Sequence, residues 1–180
     1  MRKIIVAEFI SLDGVVEAPE TWHMGYLSEE MFAVMWSLNE RCDTMLLGRT
    51  TFASFAGAFG SAPADDPIAA KMNRPTKVVV SSTLTDPGWA NSVILAGDPV
   101  EGIAKLKEQP GRDIITTGST RLVRTMLRAG LVDELSLLVH PVAVGKGQRL
   151  FEEDADALPL TLVETAAFAT GVVHLHYAKA

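Results

Sequence analysis

Residues 113–139 read DIITTGSTRLVRTMLRAGLVDELSLLV, and the fold is decided in this stretch. Asp113 to Thr116 is a short β-branched run that makes a strand, and Gly118-Ser119 is turn chemistry able to open a helix. Leu122, Val123, Met126 and Leu127 share one helical face until Gly130 stops it, and Leu135 to Val139 is the next strand. A strand, a helix and a second strand in so short a span make a unit that lays its two strands parallel.

The same alternation extends toward the N-terminus. Ser92 to Leu95 is a strand, followed by a helix opened by Asp98-Pro99 and closed near Pro110-Gly111, and Thr76 to Val80 is a strand ending in Ser81-Ser82-Thr83. Asp66 caps a short helix with Pro67 at its first position, while residues 56–64, carrying Gly57, Gly60 and Pro63, read as a loop. The apolar run Thr44 to Leu47 leads into Gly48-Arg49-Thr50-Thr51, a strand-to-helix turn. Met31, Val34, Met35 and Leu38 recur at helical spacing behind the cap Ser28, so a helix runs to about Asn39. Ile4 to Ile10 is a buried strand closed by the turn Ser11 to Gly14.

Toward the C-terminus the alternation stops, because Leu160 to Thr165 and Val172 to Tyr177 are strands joined around Gly171 with no long helix between them. The expected architecture is α/β: a three-layer αβα sandwich, its central sheet mostly parallel with a C-terminal antiparallel ribbon. The 180 residues are expected to form a single domain, 1–180, and 48% hydrophobic against 21% charged residues excludes general disorder.

A formal net charge of -6 disfavours a nucleic-acid surface. Charged residues or proline interrupt every apolar run before it could span a membrane, and Glu8 and Asp13 do so too early for a secretory leader. A lone cysteine, Cys42, leaves no intrachain disulfide, which suits a cytoplasmic setting.

In open parallel sheets ligands bind beyond the carboxyl ends of the strands, where helix N-termini offer free N–H groups. Gly48-Arg49-Thr50-Thr51 and Gly118-Ser119-Thr120-Arg121 each place glycine, hydroxyls and arginine at such an end. Together they suit a pyrophosphate; either alone is also ordinary turn and cap chemistry. His174 and His176 share one face of the final strand, with no third metal ligand near them in sequence, and no metal is expected.

The chain resembles the dihydrofolate reductase-like family, and most closely its branch containing the C-terminal reductase domain of bacterial riboflavin biosynthesis proteins. The resemblance spans nearly the full length. It is carried by Ser11-Leu12-Asp13-Gly14, Leu46 to Phe52, Val80-Ser81-Ser82, Gly118-Ser119 with Leu122-Val123, Gly130 to Leu135, His140-Pro141, Gly145-Lys146-Gly147 and Leu150-Phe151. It implies an oxidoreductase that binds NADPH, with Gly48, Arg49, Thr50 and Thr51 facing the cofactor phosphates. It also puts Ser81 and Ser82 near the adenosine 2′-phosphate, and Gly118, Ser119, Thr120 and Arg121 at the second phosphate turn. Many members have Gly-Gly at that turn, where this chain has Thr117-Gly118.

On the substrate side the resemblance implies reduction of a small nitrogen heterocycle or its ribosylamino derivative, as in 5-amino-6-(5-phosphoribosylamino)uracil reductase. Asp13 and Glu30 are the catalytic candidates: Asp13 follows the first strand, and dihydrofolate reductases bind their pteridine through a carboxylate on the first helix, where Glu29 and Glu30 fall. Asp13 suits an Asp-Gly turn equally well, and Glu29 and Glu30 the helix dipole. Trp22 and His23 are expected to cover the substrate. The branch is dimeric, so a homodimer is expected. The alternative is a non-catalytic nucleotide- or heterocycle-binding protein on the same fold.

Overall fold

The structure, a computed structural model, describes every residue except 64 and 154. Among the described residues eight strands form one sheet: β1 (Ile4–Ser11), β2 (Cys42–Gly48), β3 (Thr76–Val80), β4 (Ser92–Leu95), β5 (Asp113–Thr116), β6 (Glu134–His140), β7 (Leu160–Ala167) and β8 (Val173–Lys179). Their order across the sheet is β4-β3-β2-β5-β1-β6-β8-β7. The first six pair in parallel, and β6-β8 and β8-β7 pair antiparallel. The expected mixed α/β sheet with its C-terminal ribbon is therefore the architecture found.

The helices are α1 (Glu29–Arg41), α2 (Arg49–Phe59), α3 (Pro67–Asn73), α4 (Pro99–Glu108) and α5 (Thr120–Arg128). Local caps set their starts: Ser28 accepts from Met31 N, Asp66 from Ile68 N and Ala69 N, and Asp98 from Glu101 N. Side-chain alternation along the strands then divides the core. Ile4, Val6, Leu46, Val78, Ile114 and Leu135 pack with Ile103 of α4 and Leu122 of α5, and Ile5, Leu47 and Val79 pack on the other face with Leu38 of α1 and Phe52 of α2.

One expectation fails. Residues 56–59 continue α2 as helix and do not begin a loop, despite Gly57. Helical spacing puts Phe55 and Phe59 in edge contact, with ring centroids 5.8 Å apart, and packs both against the second core. That burial outweighs the roughly 1 kcal/mol by which glycine disfavours a helix.

Two adjacent carboxylates, one just before β6 and one at its first position, fix the amino-terminal end of the sheet. Asp133 accepts from Ile4 N at 2.7 Å and from Lys107 Nζ at 2.6 Å, while Glu134 meets Lys3, Arg41 and His176. The carboxyl-terminal end is left free to carry the site.

Candidate active site

Two neighbouring strands separate at their carboxyl ends. Pairing of β1 with β5 stops at Val6–Thr116, whereas pairing of β1 with β6 continues to Ser11–His140. The chain leaves β1 through α1 on one face and leaves β5 through α5 on the other. A crevice between strands whose connections depart in opposite directions is the switch point where open α/β sheets bind ligands.

On the α1 side the crevice opens into a cavity of about 230 Å³. Ala7, Phe9, Ile115 and Leu138 form its floor on the sheet, and α1, α2 and α3 roof it with side chains that include Met35, Phe55 and Met72.

On the α5 side the two glycine turns, far apart in sequence, interlock. Gly48 N donates to Ser119 Oγ at 2.9 Å, and Ser119 N donates to Thr51 Oγ1 at 2.9 Å. Gly118 has φ +58°, and a Cβ there would stand 3.0 Å from Thr51 Oγ1, so conformation favours glycine and the space is tight. Ser119 holds φ +51° without glycine's freedom and gives its side chain to Gly48, not to its own helix. The N-termini of α2 and α5 thus meet at one point beside the crevice.

Arg49, exposed at the start of α2, donates to Thr83 Oγ1 at 2.8 Å. Ser81 Oγ accepts from Thr83 N at 3.2 Å and Leu84 N at 3.0 Å, which shapes the loop after β3. Among the described residues Arg49 has no carboxylate partner. This corner combines a fixed planar cation with hydroxyls, a set suited to phosphate.

The family profile of the RibD C-terminal domain matches residues 2–174. The chain belongs to that family. It is 31% identical to YyaP, an uncharacterized protein of Bacillus subtilis, over 98% of this chain and 94% of YyaP. Its fold superposes with a TM-score of 0.80 on a Shewanella sp. PV-4 protein assigned provisionally to riboflavin biosynthesis, at 20% identity and 99% coverage of both chains. It also superposes, with a TM-score of 0.69, on the diaminohydroxyphosphoribosylaminopyrimidine deaminase/5-amino-6-(5-phosphoribosylamino)uracil reductase of Thermotoga maritima. That match has 13% identity and covers 99% of this chain and 57% of the Thermotoga one.

Within this RibD-type frame the cofactor candidates Gly48, Arg49, Thr50, Thr51, Ser81, Ser82, Gly118, Ser119, Thr120 and Arg121 all lie at or just beyond the carboxyl ends of β2, β3 and β5. The substrate candidates are not brought to the cavity wall. The Asp13 carboxylate accepts from Ser11 Oγ at 2.6 Å, Val144 N at 2.9 Å and Gly145 N at 2.7 Å. The Ser11 hydroxyl first, and then those two amides, hold its pKa down at about 2. Asp13 thus organises the loop after β6. Glu29 and Glu30 are both exposed at the start of α1, with Glu30 Oε1 3.5 Å from Ala169 N.

Trp22 and His23 belong to a strap of two 3₁₀ turns, Pro19–Thr21 and Met24–Tyr26. His23 stacks on Phe9 at 4.5 Å, and the Trp22 and Tyr26 rings meet His140 edge-on at 5.3 and 5.7 Å. The strap covers Phe9, itself in the cavity floor, so these residues support the site from behind. Burial keeps His23 and His140 below the ordinary histidine pKa, and both rings are neutral at pH 7. Burial likewise pushes the Cys42 thiol up to about 12, which leaves it unreactive.

Glu8 was missed by motif reading. Its side chain is 5% exposed; Oε2 accepts from Gly118 N at 3.0 Å and Oε1 is buried with no partner among the described residues. Burial raises its pKa well above the carboxylate range, against the smaller opposing effect of the Gly118 amide. Burial thus favours the neutral form of Glu8 beside the anion corner, and the residue stands where β1 loses β5. The signal was present in the sequence as one carboxylate inside the apolar strand Ile4 to Ile10.

Proposed function

We propose that the protein is an NADPH-dependent reductase acting on a small nitrogen heterocycle or its ribosylamino derivative. One observation carries the reading: the interlocked glycine turns stand beside a switch-point crevice that opens directly into a ring-sized cavity. This arrangement suits a dinucleotide on one side of the sheet and a flat substrate on the other. The RibD family and the reductase named for the Thermotoga neighbour support the same reaction class.

The residues fit the cofactor. The N-termini of α2 and α5, with the Thr50, Thr51 and Thr120 hydroxyls, suit the pyrophosphate, and Gly118 lets the two turns pack closely because a Cβ there would press on Thr51. Arg49, Ser81 and Ser82 suit the 2′-phosphate. When bound, the dihydronicotinamide supplies a hydride equivalent to the substrate. The protein's share is to orient the substrate, exclude water through the aromatic roof, and present at the crevice the Glu8 carboxyl, whose burial favours its protonated form.

The test is calorimetric titration with NADPH followed by a screen of candidate heterocycles for substrate-dependent loss of NADPH absorbance. Absence of NADPH binding would remove the reading. Tight NADPH binding with no turnover across the screen would favour a binding protein on the same fold.

A further inference from the structure

We infer that the substrate is an uncharged, flat and largely apolar ring compound that carries no phosphate. The inference rests on reading the cavity as the substrate site of the proposed reductase. Five aromatic rings line it, Phe9 in the floor with Phe32, Trp36, Phe55 and Phe59 above, and Phe32 and Trp36 lie nearly parallel with centroids 6.1 Å apart. Such walls favour a flat π system by offset stacking and area burial.

The polar wall residues are few, and of their side-chain oxygens Glu8 Oε1 is left without a partner among the described residues. Glu8 Oε2 is held by Gly118, Asn39 Oδ1 accepts from Arg74 at 2.9 Å, and Ser136 Oγ lies 2.9 Å from His174 Nε2. Thr117 completes the set. A ring with one or two hydrogen-bonding atoms can be satisfied here, but a substituent with many donors and acceptors cannot.

Among the described residues no lysine, arginine or histidine lines the cavity. Lys71 lies 4.9 Å over the Trp36 ring, yet its ammonium is 3.9 Å from the Glu40 carboxylate. A sugar phosphate placed here would lose its hydration with no buried cation to replace it. In size, an apolar cavity of ~150 Å³ accommodates benzene, and 230 Å³ suits a fused two-ring system.

The full-length protein is titrated with quinoxaline, a neutral fused diaza-aromatic, while tryptophan fluorescence is followed. Separate titrations use 5-amino-6-(5-phosphoribosylamino)uracil and, by calorimetry, NADPH. Saturable quenching by quinoxaline is expected, with the quench lost in Trp36→Phe. The phosphoribosyl compound should bind at least about tenfold more weakly. Met72→Arg, which puts a cation in the wall, should weaken quinoxaline by about tenfold or more. If that variant does not fold, Phe55→Leu should weaken quinoxaline by a few-fold.

Equal or tighter binding of the phosphoribosyl compound overturns the inference, as does quinoxaline affinity unchanged in the wall variants. NADPH binding without quinoxaline binding overturns it and leaves the reductase reading standing. Quinoxaline binding without NADPH binding supports the ligand class and overturns the reductase reading.

Discussion

Glu8 Oε2 accepts the backbone N–H of Gly118 at 3.0 Å, so a buried carboxyl on β1 holds the turn that opens α5. Because burial raises the folded pKa above the unfolded one, the neutral form's contribution to stability is complete below about pH 4.5. It is lost as pH rises through the folded value. Glu8→Gln keeps an oxygen for Gly118 and cannot ionise. Its melting temperature should therefore gain on wild type as pH is raised from about 4.5, and melting curves across that range check it. Glu8→Ala leaves the Gly118 amide without an acceptor and should cost about 1–3 kcal/mol below about pH 4.5, and less as pH rises through the folded value.

Gly118→Ala should be destabilising by about 1–3 kcal/mol, because alanine is strained at φ +58° and its Cβ would press on Thr51 Oγ1 and Cγ2. Thermal unfolding measures the loss. If NADPH occupies the turn, its affinity should fall more than the change in stability explains, and calorimetry at a temperature well below unfolding separates the two.

Arg49→Ala should weaken NADPH by about tenfold and NADH by less, the expected loss of one charge-assisted hydrogen bond at an exposed corner. Equal wild-type affinity for the two dinucleotides would show that this corner does not read the 2′-phosphate.

Asp13→Ala should lower the melting temperature and speed proteolysis within residues 142–149, since Val144 N and Gly145 N lose their acceptor. With the folded pKa held at about 2, the carboxylate contributes stability above about pH 4 that is lost as pH falls through about 2. The gap between wild type and Asp13→Asn should close over that range. A variant as stable as wild type but inactive would instead point to substrate contact.

A homodimer that covers β7 is expected. That edge strand leaves Leu162 50% and Val163 58% exposed, an open hydrogen-bonding edge with apolar side chains. Light scattering at micromolar concentration should give twice the chain mass, and Val163→Lys should shift it toward monomer.

Elements whose signals are local were legible without the fold. The caps Ser28, Asp66 and Asp98 act on amides two or three residues away, and β3, β4 and β5 have the bounds their β-branched runs predict. Residues 56–59 were misread because the glycine penalty is local, while the packing that overrides it joins Phe55 and Phe59 to strands elsewhere in the chain. For Asp13, both a substrate contact and a turn were open in the sequence. Its two amide partners, more than 130 positions away, decide for loop organisation.

The sequence by itself determined the strand–helix order, the ribbon at the end and the two Gly-Arg turns, because hydrophobic period, caps and glycine conformation act over a few residues. Only the tertiary structure decided that Ser119 serves Gly48 and not its own helix, that Glu8 is buried against Gly118, and that rings from α1 and α2 converge on one cavity. Those relationships depend on where β5 inserts between β2 and β1. That insertion is a long-range choice that the packing of the whole sheet makes, and no local pattern encodes it.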